Sequence, residues 1–286
     1  MSGAEQQARA DIVEVGRRLW QQGFVASNDG NISVRLGEDR VLTTPKSVSK
    51  GFMTADMMVV TDLSGRKVSG ERDASSELKM HLEVYHQRPD VGAVVHAHPA
   101  TATGFAVAGV PLTRAVLAEV ITTLGGIPIA EYATPSTEEL PAAVRKYIKA
   151  HDGLLLANHG ALAIGPDVYA AYYRMETIEH FATISLVART LGREHLISRT
   201  EVERLQGLRG TYGIASPAPI CADDAQPPVS DGQLACQVVQ APQSAARLVP
   251  DTPGLVAAGS APKDGEIRLT YRELTALIED AVKALR

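Results

Sequence analysis

Val91–Gly92–Ala93–Val94–Val95–His96–Ala97–His98–Pro99 is an apolar run that closes on two histidines two positions apart. Its length and its valines predict a buried strand, and side chains on a strand alternate faces, so both imidazoles point the same way where the chain turns. Two adjacent imidazoles make a poor core and a good half of a metal site. Neutral imidazole is the commonest ligand of zinc and its relatives, and a catalytic site takes three protein ligands with one position left open. A second apolar run, Gly153–Leu154–Leu155–Leu156–Ala157, leads into Asn158–His159–Gly160 and offers the third ring if the two strands lie close. Ser75–Ser76–Glu77 precedes Leu78, His81, Leu82 and Tyr85 at helical spacing, which places a carboxylate in the first helical turn behind two hydroxyls. The expected set is therefore His96, His98, His159 and Glu77 around one cation, with zinc first on ligand type and manganese or cobalt as alternatives.

Anion-binding chemistry surrounds these residues. The hydroxyls of Ser75 and Ser76, with the first N–H groups of the following helix, form an anion site on physical grounds. Ser27–Asn28–Asp29–Gly30–Asn31 is turn chemistry, either a plain hairpin turn or a concavity of exposed N–H groups at Gly30 and Asn31 that takes phosphate or carboxylate. In the polar loop from Thr43 to Gly51, Lys46 suits an anion as a point charge beside Ser47.

The chain has 286 residues, 45% hydrophobic and 21% charged, enough to bury a substantial core in one large domain or one domain plus an appendage. A net charge of −5 provides no general attraction for nucleic acid or an anionic membrane. The N-terminus lacks a basic and apolar leader pattern, and no apolar run approaches the roughly 20 residues that cross a bilayer, so a cytoplasmic location is expected. Cys221 and Cys236 lie in a Pro/Ala/Gln-rich tract and are expected as free thiols of a reducing compartment.

The remaining pattern alternates strands with helices. An amphipathic helix over 5–22 carries Ile12, Val15, Leu19 and Trp20, with Trp20 assigned to the core. Strands are expected at Ile32–Arg35, Val41–Thr44, Met57–Val60 and Ile127–Ala130, and helices at Ala100–Ala108, Thr137–Ala150 and 167–191, with another apolar segment at Val116–Leu124. This predicts an α/β layered catalytic domain over residues 1–215. No Gly-x-Gly-x-x-Gly follows a strand, so dinucleotide binding of the Rossmann type is not supported. Residues 216–264 turn to Pro, Ala, Gln, Ser and Asp and read as a flexible linker. Over 265–286, a capping box at Thr270–Glu273 precedes an apolar stripe of Leu274, Leu277, Ile278, Ala281, Val282 and Leu285, an amphipathic helix that either docks on its own subunit or targets a partner.

Over about residues 8–213 the chain resembles the class II aldolase/adducin family. Ser27–Ser33, Thr44–Pro45, Ser75–Ser76–Glu77, His96–Ala97–His98–Pro99, Tyr132–Ala133–Thr134–Pro135, Asn158–His159–Gly160 and Thr211–Tyr212–Gly213 occur in the family's order. The resemblance implies an α/β/α layered fold with an antiparallel-rich central sheet, a homotetramer, and a metal-dependent aldolase. Its substrate would be a ketose 1-phosphate such as fuculose, rhamnulose or deoxyribulose 1-phosphate, cleaved to dihydroxyacetone phosphate and an aldehyde. It implies substrate phosphate at Gly30, Asn31, Lys46, Ser47, Ser75 and Ser76, Glu77 as the catalytic base, and Tyr212 as an auxiliary at the aldehyde end. Two departures stand out: Lys46–Ser47 replaces the Thr-Gly of the family's aldolases, and Glu119 stands where a tyrosine acid is expected. The alternatives are a dehydratase or 4-epimerase of a sugar phosphate, or a non-catalytic adducin-like scaffold. The family's epimerases carry Asp at the Glu77 position. The C-terminal helix is similar to the encapsulation peptides that bring enzymes to the shell protein of a bacterial microcompartment.

Overall fold

The computed structural model describes residues 2–214 and Ile220, together with two short strands farther on. Helix α1 (Gly3–Gln21) starts where the Ser2 hydroxyl accepts from Glu5 N, and its buried stripe of Ile12, Val15 and Leu19 turns inward. Strands β1 (Asn31–Leu36), β2 (Arg40–Thr43), β3 (Val59–Asp62) and β4 (Lys67–Ser69) follow as antiparallel neighbours. Then come α2 (Leu78–Gln87), β5 (Ala93–Ala97), α3 (Ala100–Ala108), α4 (Ala118–Thr123), β6 (Ile129–Ala130), α5 (Glu139–Arg145), β7 (Gly153–Leu156), β8 (Gly160–Gly165), α6 (Val168–Thr190) and α7 (Arg199–Gly207).

The strands form one sheet in the order β4-β3-β2-β1-β5-β8-β7-β6, antiparallel except for the β6–β7 pair. The histidine strand β5 lies in the interior, with His96 opposite Asn31 of β1 and Leu162 of β8. Alternation divides β5 between two cores. Val95 and Ala97 join Ile32, Ala161 and the inward residues of α1, α3 and α6, while Val94 joins Leu154, Leu162 and the inward residues of α2 and α5. Helices thus cover both faces, giving the α/β/α architecture expected. Gly92 permits the approach to β5, since a Cβ there would lie 2.0 Å from the Pro166 carbonyl oxygen.

Several expectations need correction. Trp20 is 45% exposed, because Leu19 occupies the inward position and Trp20 lies over Gly51, edge-on to Phe52 with ring centroids 5.3 Å apart. Helix α5 is shorter than Thr137–Ala150: the Thr137 hydroxyl accepts from Glu139 N, and beyond Arg145 the chain continues in turns such as Tyr147 N to Val144 O. β4 has no apolar alternation, is exposed throughout and left no pattern to read. Only His96 lies within a strand; His98 follows the end of β5, and His159 sits in the turn between β7 and β8.

No helix of the described residues is long and apolar enough to cross a membrane. A second unit, Gln240–Arg286, contains a parallel pair of two-residue strands, β9 (Leu248–Val249) and β10 (Leu269–Thr270). Apart from Ile220, β9 and β10, the expected linker and the expected C-terminal helix, with Cys221 and Cys236, lie outside the described residues.

Candidate metal centre and anion pocket

His96 reaches the α2 side of the sheet from the middle of β5, where it is fully buried. Its Nδ1 lies 2.8 Å from the Ala161 carbonyl oxygen, which can only accept. The neutral ring therefore carries its hydrogen on Nδ1 and presents the bare Nε2 lone pair to the pocket. Burial pushes the His96 pKa well below that of a free imidazole, against the pull of the Glu77 carboxylate, and so keeps the ring in its ligating form.

Two turns bring the other rings to it. His98 N donates to Phe24 O, and the left-handed Asn158 (φ +55°) aims His159 back toward β5. Ring centroids are 4.9 Å apart for His96–His98, 4.7 Å for His96–His159 and 5.0 Å for His98–His159. One nitrogen from each ring lies within 4.8 Å of the others. Gly160 makes room for this meeting, since a Cβ there would stand 2.5 Å from His98 Cδ2.

Glu77 completes the cluster from the N-cap position of α2 and not from its first turn. Its Oε2 accepts from Asn31 Nδ2 at 2.8 Å and lies 3.4 Å from His96 Nε2, and its Oε1 lies 3.1 Å from His159 Nε2. Burial opposes ionisation, but the His96 and His159 rings and the Asn31 amide hold the carboxyl well below the usual carboxylate range. Glu77 Oε1 and His159 Nδ1 are buried without hydrogen-bond partners. Three converging imidazole nitrogens, one with its tautomer set, and an anionic oxygen left unsatisfied fit a divalent cation.

A pocket of roughly 250 Å³ opens beside the cluster. Gly30 and Asn31, Lys46 and Ser47, and Ser75 and Ser76 all line it, with Glu77, His98 and His159 on one wall. All six residues expected to meet an anion are thus brought together. Ser47 adopts φ +58°, so the loop takes the left-handed turn that glycine favours without having glycine there. The other non-glycine residues with positive φ among those described are Ser27, Ser136 and Asn158, and each lies in the lining or next to it.

Tyr212 and Glu119 are not in this pocket. Tyr212 is 64% exposed in the 3-10 turn Arg209–Tyr212, and Glu119 lies in the first turn of α4. Six lining residues escaped the sequence reading as site residues: Asn28, Pro45, Pro135, Ser136, Lys50 and Asp29, whose Oδ2 is 3.4 Å from His98 Nδ1. Asp29 belongs to the Ser27–Asn31 turn, whose local chemistry marks it only as a turn former. Lys50 carried no signal, because its burial is a product of loop packing.

The family described as Class II Aldolase and Adducin N-terminal domain matches residues 10–186. A 5-deoxy-D-ribulose 1-phosphate aldolase of Bacillus thuringiensis serovar kurstaki is 31% identical over 210 residues, 73% of this chain and 98% of the relative. A 3-oxo-tetronate 4-phosphate decarboxylase of Pectobacterium atrosepticum is 30% identical over 188 residues, 64% of this chain and 86% of the relative. Among solved structures, an L-fuculose 1-phosphate aldolase superposes with a TM-score of 0.67 at 31% identity, covering 72% of this chain and 96% of its own. On the family match, the identities and the shared fold together, the chain belongs to the class II aldolase and adducin family.

Proposed function

We propose that the protein is a metal-dependent aldehyde-lyase that cleaves a ketose 1-phosphate, such as fuculose, rhamnulose or deoxyribulose 1-phosphate, to dihydroxyacetone phosphate and an aldehyde. The observation that carries this reading is the convergence of His96, His98 and His159 with the Glu77 carboxylate on the wall of a polar pocket. A divalent ion held by the three imidazoles, zinc first and manganese or cobalt as alternatives, supplies Lewis-acid stabilisation of the charge that develops on the substrate's oxygens as the carbon–carbon bond breaks.

The chain's own residues do the rest. Gly30, Asn31, Lys46, Ser47, Ser75 and Ser76 hold the phosphate and so fix the carbon chain against the cluster. Glu77 moves the proton at the carbon that receives the electron pair, and it completes the ligand set when no substrate is bound. The Asn31 amide keeps one Glu77 oxygen engaged and leaves the other for this work. The protein assembles as a homotetramer, in which the exposed Tyr212 approaches the aldehyde end of a site. The segment over residues 265–286, expected from its sequence as an amphipathic helix, docks on its own subunit or engages a microcompartment shell protein.

The test is a panel of ketose 1-phosphates with a coupled reductase that reports dihydroxyacetone phosphate. Stoichiometric release from at least one of them is expected, and none from any metal-loaded sample would overturn the aldolase assignment. The decarboxylase relative favours one second reading, loss of CO2 from a phosphorylated 3-oxo acid. That reaction also breaks a carbon–carbon bond next to a carbonyl and, from a 3-oxo-tetronate 4-phosphate, likewise leaves dihydroxyacetone phosphate, so CO2 release from that acid with no cleavage of any ketose 1-phosphate would select it.

A further inference from the structure

Lys50 opens the 3-10 turn Lys50–Phe52 and is only 2% exposed, yet it lines the anion pocket. Its Nζ donates to the Val48 carbonyl at 2.6 Å and to the Asn28 carbonyl at 2.9 Å. The ammonium thereby ties together the two loops that carry Gly30–Asn31 and Lys46–Ser47. An ammonium has three donors, and both acceptors found here are neutral. Among the described residues no carboxylate forms an ion pair with it, although Asp29 and Glu77 face the same pocket. Burial draws the Lys50 pKa down to about 8, with Asp29 and Glu77 opposing.

A neutral donor would tie two carbonyls together without the cost of burying a charge. What a charge adds, in a pocket of hydroxyls and amides, is attraction for an anion. Lys46, the basic residue that the sequence pointed to, is exposed to water, where a charge–charge contact is worth little. We propose that Lys50 is the anion-recognition residue of this pocket and selects substrates bearing a phosphate monoester. This rests on the phosphate reading of the pocket given above.

The test uses the full-length, metal-loaded protein with inorganic phosphate as the probe, titrated by calorimetry. Lys50→Gln keeps a neutral donor for the two carbonyls, and Lys50→Met removes both donor and charge. Lys50→Gln is expected to weaken phosphate binding about ten- to a hundredfold while its melting temperature stays near that of the wild type. KM for the cleaved ketose 1-phosphate should rise in step with that loss. Lys50→Gln binding phosphate as tightly as the wild type would overturn the proposal, as would a fall in affinity seen only in Lys50→Met together with a lower melting temperature, which marks a loop tie and nothing more. A wild-type protein that binds no phosphate would overturn the pocket reading itself, and this proposal with it.

Discussion

At the scale of single residues, the site depends on which nitrogen of His96 carries the hydrogen. The Ala161 carbonyl decides that by accepting from Nδ1, so the ring offers Nε2 without paying for a proton to leave. His96→Ala removes the one ring that is rigidly held inside a strand. Metal bound per subunit, measured by elemental analysis, should fall at least about tenfold, with far-ultraviolet circular dichroism unchanged. Undiminished metal content would remove the histidine cluster as the binding site. His96, His98, His159 and Glu77 were legible because each belongs to a local pattern, two ends of apolar runs and one helix start. Lys50 and Asp29 were not, because what gives them a role is the packing of one loop against another, and no local pattern records that.

At the scale of elements, β1 and α2 share a buried polar seam. Alternate residues Asn31, Ser33 and Arg35 of β1 meet Glu77, His81 and Tyr85, spaced one helical turn apart on α2. The Ser33 hydroxyl lies 2.7 Å from His81 Nδ1 and 2.8 Å from the Tyr85 hydroxyl, all of them buried. The seam positions the start of α2, and with it Glu77, over the end of β1. Burial lowers the His81 pKa to about 4, while an unfolded chain keeps it near 6.5. Between these values the unfolded chain binds a proton that the native protein refuses, so stability is full above pH 6.5 and falls as the pH drops toward 4. The loss reaches on the order of 3 kcal/mol from this group. Urea unfolding from pH 6.5 to 4.5 should therefore show a shallower pH dependence for His81→Gln than for the wild type. Equal slopes would mean that His81 is not held neutral. The helical spacing of His81 and Tyr85 was visible in the sequence, but their partners on β1 were not, since strand and helix are more than forty residues apart.

At the scale of the whole molecule, the candidate histidine cluster and the polar pocket beside it are lined, among the described residues, by side chains between Asn28 and His159. Deleting residues 216–286 should leave kcat/KM for the cleaved substrate within about twofold while abolishing association with a shell protein in a pull-down. A large loss of turnover would instead mean that the C-terminal segment completes the site. The sequence by itself determined the α/β class, the order of most elements and the four side chains His96, His98, His159 and Glu77 that cluster, because each is written in periodicity or in short strand-end and helix-start motifs, while the full set of six pocket residues followed from the family resemblance. Only the tertiary structure decided that Trp20 faces water, that Tyr212 and Glu119 lie outside the pocket, and that Lys50 lies within it. Exposure and distance between segments remote in sequence depend on how sheet, helices and loops pack, and that packing is a property of the folded chain as a whole.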